Sequence, residues 1–109
     1  MTTTQLRQSA VSSAAEPPPG RDRALRALWF DARGDWARAH QEAQEDPTRD
    51  GSWVHAYLHR REGDTGNAGY WYARAGRPAA DGPLEREWDE IAGELLGRRK
   101  DVRRPRSPS

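Results

Sequence analysis

His55 and His59 stand four residues apart in the run WVHAYLH, residues 53–59. On a helix that spacing sets two imidazoles on one face, where they can share a zinc ion. His40, the remaining histidine, or Glu62 would supply a third ligand. Ala56 occupies the position where a metalloprotease helix carries its glutamate, so that pattern is not met. The competing reading is structural: both are hydrogen-bonded histidines of the core. The sequence expectation is therefore no metal and no cofactor, with a histidine-based metal protein or enzyme using His55, His59 and His40 as the alternative.

Other reaction chemistries find less support. A nucleophile needs a base and an orienting group beside it. Ser52 is the one serine near a histidine in the foldable part, and it is equally placed to cap a helix. Lys100 is the sole lysine and belongs to no glycine-rich phosphate loop. Carboxylate pairs such as Asp89 and Glu90 fall at a helix start, where negative charge is favourable without any catalytic role. No catalytic residue is assigned.

Composition bounds what can position these side chains. The 109 residues allow one domain, and a mean hydropathy of −1.13 with 34% hydrophobic residues makes its core lean. Five tryptophans compensate, each able to bury about 200 Å². There is no cysteine, which excludes disulfides and thiolate zinc sites. No apolar run approaches the roughly 20 residues of a membrane span, and no secretory signal is legible, so a cytoplasmic protein is expected. Arginine supplies 17 of the 18 basic residues, as in GC-rich bacterial coding sequences.

Charge and apolar content divide the chain into three. Residues 1–20 and 98–109 offer little to bury and are expected to be disordered tails flanking a domain at 21–97. That domain holds 11 arginines against 15 acidic residues, whereas 98–109 holds six basic residues against Asp101. The basic tail is the one segment suited to phosphate contact, although no aromatic residue interleaves it to stack on bases.

Within 21–97 the apolar spacing predicts five helices and no strand. Leu25, Leu28, Trp29 and Ala32 give a first stripe behind Asp22 as cap and before Gly34. Trp36, Ala39, His40 and Ala43 give a second, between Asp35 and Asp46-Pro47. A third helix is expected from Ser52 as cap to Gly63, after a loop at 48–51. Asp64 caps a fourth, carrying Ala68, Trp71, Tyr72 and Ala75. The last runs from Pro83 to about Gly97, with Leu84, Trp88, Ile91, Ala92, Leu95 and Leu96 on one face.

The first two helices match the next two when shifted by 29 residues: Gly34-Asp35 falls on Gly63-Asp64, Ala27 on Ala56 and Ala39 on Ala68. A repeated unit of helix, Gly-Asp turn and helix resembles the tetratricopeptide repeat and its Sel-like relatives, whose repeat is near 34 residues. GDWARAHQEAQEDP and GDTGNAGYWYARAGR look like second halves of such repeats, with Ala68, Tyr72 and Ala75 on small, aromatic and small packing positions. The run WVHAYLHRREGD with YWYARAGRP also looks like a group of short uncharacterised bacterial proteins.

The resemblance implies an all-α fold of two tetratricopeptide-like hairpins plus a C-terminal capping helix, acting as a protein-interaction module without catalysis. It places the partner-binding surface on the first helix of each hairpin: Asp31, Trp53, Tyr57, Arg60 and Arg61. Two aromatics beside two arginines suit a protein or peptide partner carrying a carboxylate. The alternative for Trp53 and Tyr57 is simply to fill the core.

Overall fold

The computed structural model describes residues 1–103 in backbone and 1–97 in side chains. They form an all-α fold with the helices α1 (Thr3–Ala10), α2 (Arg23–Arg33), α3 (Trp36–Glu45), α4 (Arg49–Arg61), α5 (Thr65–Ala75) and α6 (Leu84–Arg103), and no strand occurs among the described residues. No helix of the described residues is long and apolar enough to cross a membrane.

Local chemistry sets most boundaries as the sequence indicated. Asp22, Asp35 and Asp64 each accept a hydrogen bond from the backbone N–H three residues on, at Leu25, Arg38 and Asn67. This satisfies N–H groups that a helix start leaves without partners. Gly34 and Gly76 end α2 and α5 in the left-handed conformation, at φ 89° and 71°, which costs a glycine least.

One boundary moves. α4 starts a turn before Ser52, with Thr48 as cap: the Thr48 hydroxyl accepts from Gly51 N–H, while Asp46 Oδ1 accepts from Thr48 N–H. The stretch read as a loop at 48–51 is therefore mostly helix. Gly51 is required by close approach rather than by a turn, because a Cβ there would come within 2.5 Å of Asp46.

α4 lies at the centre. It packs on α3 and α5, and also on α2 and α6. α2–α3 and α4–α5 are antiparallel hairpins joined at Gly34-Asp35 and Gly63-Asp64, and α6 closes one side over α2 and α4. Trp29, Trp88 and Tyr57 are the largest side chains buried in the interior, and Trp88 Nε1 donates to the Leu28 carbonyl at 3.0 Å.

The first twenty residues correct the expectation of a disordered tail. Thr2 and Gln5 form a reciprocal capping box at the start of α1. Leu6 and Ala10, one turn apart, are fully buried against α2 and α6. Ser9 Oγ accepts from Trp29 Nε1, and Arg33 reaches the Ala10 and Ala14 carbonyls. Few apolar side chains suffice here because α2 and α6 already present the surface they fill. At the other end α6 continues past Gly97 to Arg103, so the expected 98–109 tail starts as helix; its remainder lies outside the described residues.

Candidate metal centre

α3 and α4 cross so that the histidines meet. Capping by Asp35 fixes the first turn of α3 and so the placement of Trp36 and His40 one turn apart. His55 sits on the buried face of α4, and His59 follows one turn later at the edge of the core.

The rings are close and ordered relative to one another. His55 Nε2 lies 3.1 Å from His40 Nε2. The His55 and His59 rings stack at 4.8 Å and 17°, and His40 stands edge-on to both, at 4.7 and 5.5 Å. One ligand nitrogen from each ring falls within 4.8 Å of the other two. A tetrahedral ion with bonds of about 2.0–2.1 Å spaces its ligand nitrogens about 3.3 Å apart. The His40–His55 pair already stands near that distance.

Neighbouring groups hold the rings in place. His59 Nδ1 pairs with Glu62 Oε1 at 2.7 Å, the outer carboxylate that orients many metal-binding imidazoles. Trp71 stacks on His55 at 4.0 Å and Trp36 on His40 at 4.9 Å. His55 Nδ1 is buried with no hydrogen-bond partner, so His55 lacks the support that Glu62 gives His59.

At His40 and His55 electrostatics favour the neutral ring, the form that binds a metal. Burial, and then the proximity of His40 and His59, pushes the His55 pKa down to about 4. Burial and His59 also lower that of His40, against an opposing pull from Glu62. A second group, His59, Glu62 and Asp64, has the right donor types, but both Asp64 oxygens are occupied by Asn67.

The residues expected to face a partner are placed elsewhere. Asp31, Trp53 and Tyr57 are buried, at 6, 7 and 1% exposure, so they fill the core and offer no surface. Tyr57 donates to Asp31 Oδ2 at 2.8 Å, and Arg61 Nε reaches Asp31 Oδ1 at 3.2 Å. Arg60 turns inward to Glu87 at 3.0 Å and to the Gly82 carbonyl, while Tyr72 donates to Glu87 from the other side. Trp53 is covered by the Arg77 guanidinium at 3.8 Å. Both arginines thus pair with carboxylates of this chain, although the Arg61 side chain stays 43% exposed. The first helices of both hairpins, expected to carry the partner-binding surface, pack against α6.

What sequence reasoning did not find around the histidines is the pair of indoles. Trp36 precedes His40 by four residues, a helical contact that spacing alone would have revealed. Trp71 comes from the neighbouring helix, and no local signal marks its approach to His55. No protein-family model, curated protein or solved structure matches the chain.

Proposed function

We propose that this protein binds a divalent transition-metal ion of the zinc class through His40, His55 and His59. The observation that carries the reading is the convergence of three imidazoles from two helices, their ligand nitrogens within 4.8 Å of one another. Nitrogen donors without sulfur suit zinc, copper(II) or nickel(II) rather than calcium or magnesium, which prefer oxygen. An ion at the centre takes the Nε2 lone pairs of His40 and His55, so the His55 proton moves to Nδ1. That buried N–H then has no acceptor, which lowers affinity below that of a fully supported site.

The test is metal analysis and zinc titration of the full chain purified without a histidine tag. One ion per chain, lost in His55→Ala, is the expected result. Absence of stoichiometric uptake at micromolar zinc would return the three histidines to a purely structural role.

A second reading, a helical-repeat interaction module of tetratricopeptide type in a bacterial cytoplasmic protein, is favoured by one observation. The two inter-helix turns repeat closely: Asp35 has φ −96°, ψ 78° and Asp64 φ −96°, ψ 77°. Its partner would have to use side chains other than the five buried or internally paired ones. The two readings are compatible, since the ion would join the second helix of one unit to the first helix of the next.

A further inference from the structure

Three protein ligands leave one position of a tetrahedral ion for an outside group. Three neutral imidazoles also leave its double positive charge uncompensated. Glu62 is held on the far nitrogen of His59 and groups with His59 and Asp64 rather than with His40 and His55. An anion is therefore the fitting external ligand.

The surroundings narrow its chemistry. Among the described residues the large exposed apolar side chains are Met1, Val11, Trp36 and Tyr70; of the two aromatic ones, Trp36 touches a histidine and Tyr70 touches Trp71, which does. Trp36 stacks on His40, and Tyr70 meets Trp71 edge-on at 5.2 Å, while Trp71 in turn stacks on His55. Such exposure in a protein this poor in apolar residues is informative where it clusters. Arg74, exposed on α5, lies 5.3 Å from the Trp71 ring and 5.9 Å from the Tyr70 ring. Its hydrogen bond goes to the Tyr70 hydroxyl at 3.3 Å, and among the described residues it makes no ion pair.

We infer that the ion held by His40, His55 and His59 takes a small aromatic carboxylate as its external ligand, with Trp36, Tyr70, Trp71 and Arg74 forming the rim that receives it. The inference rests on the metal-binding reading. The carboxylate coordinates the ion and draws on the Arg74 charge, and the ring packs against the exposed aromatics.

The experiment uses the full chain loaded with cobalt(II), which replaces zinc and reports its ligands in the visible spectrum. Benzoate and acetate are titrated separately. Both carboxylates should change the spectrum, with benzoate half-saturating at about tenfold lower concentration, the order expected of one aromatic contact. Tyr70→Ala and Arg74→Ala should take up cobalt as the parent does; Tyr70→Ala should lose most of that preference, and Arg74→Ala should weaken both anions alike. A cobalt spectrum indifferent to both anions, equal affinity for the two, a preference that survives Tyr70→Ala, or anion affinities unchanged in Arg74→Ala would each overturn the inference while leaving metal binding intact. A chain that takes up no cobalt overturns the metal reading and this one with it.

Discussion

His55 Nε2 and His40 Nε2 face each other at 3.1 Å, and the other nitrogen of His55 is buried without a partner. An orphaned buried N–H is costlier than an orphaned lone pair, so the proton of neutral His55 lies on Nε2 and is donated to His40. A proton added to His40 at Nε2 would put two N–H groups head to head, and one added to His55 at Nδ1 would be a buried N–H without an acceptor.

The metal-free protein should therefore weaken as pH falls through the histidine range. The unfolded chain takes up a proton on His55 near 6.5, whereas the folded chain does so only at about 4. The stabilisation is fully present above 6.5 and is lost between 6.5 and 4, up to ~3 kcal/mol in all. Urea denaturation at pH 7.0, 5.5 and 4.5 measures it, with His55→Asn as the reference that should lose most of this slope. Asp31 does not contribute to the acid loss, because burial raises its carboxyl and the folded state protonates it more readily than the unfolded chain does.

Metal affinity should depend on Glu62 without requiring it. Glu62→Gln keeps an acceptor for His59 Nδ1–H but removes its charge, and a loss of about 10–100-fold in zinc affinity is expected. Loss of His40 or His59 should exceed that. Competition titration against a zinc-sensitive dye distinguishes the outcomes, and a Glu62→Gln protein with parental affinity would show that the carboxylate has no orienting role.

Zinc should also stabilise the fold, since it joins α3 to α4. At a free concentration a hundred times the dissociation constant the gain is about 2.7 kcal/mol. In a domain of this size that is a rise in melting temperature on the order of 10 °C. Calorimetry with and without zinc reads it directly, and His40→Ala should melt at the same temperature in both.

Leu6→Ala should cost about 2–5 kcal/mol, as expected of a fully buried leucine. Deleting residues 1–10 would uncover Trp29 and Trp88 and should do at least as much. Thermal melts of the two variants against the full chain test whether α1 belongs to the cooperative unit.

Tyr57→Phe removes the hydroxyl that donates to buried Asp31 and should cost about 1–3 kcal/mol. Arg61→Ala should cost less, because the Arg61 side chain is 43% exposed and water can replace part of its contact. A larger loss from Arg61→Ala than from Tyr57→Phe would mean that the charge, not the hydroxyl, holds Asp31 in the core.

The five helices from α2 to α6 were legible because each carries its own punctuation: an aspartate cap, a left-handed glycine, or a proline. α1 was hidden by composition. Averaged over twenty residues the N-terminal stretch is polar, yet Thr2-Thr3-Thr4-Gln5 spells a capping box, and Leu6 with Ala10 is the minimal stripe that follows one. The meeting of His55 with His59 is local and could be read from spacing. That of His40 depends on how α3 crosses α4, which spacing does not encode. The expected binding face was wrong for a global reason. Whether an arginine on a helix faces water or a carboxylate is decided by what covers that helix, and Glu87 on α6 and Asp31 on α2 lie far from Arg60 and Arg61 in sequence.

The indole faces laid against His55 and His40 have an optical consequence. Trp71 and Trp36 touch ligand rings at 4.0 and 4.9 Å, within the range at which a neighbouring charge or a paramagnetic ion alters an excited indole. Trp29, Trp53 and Trp88 are buried in the core. Two of the five emitters thus touch the centre, giving the molecule an unlabelled fluorescent gauge of occupancy.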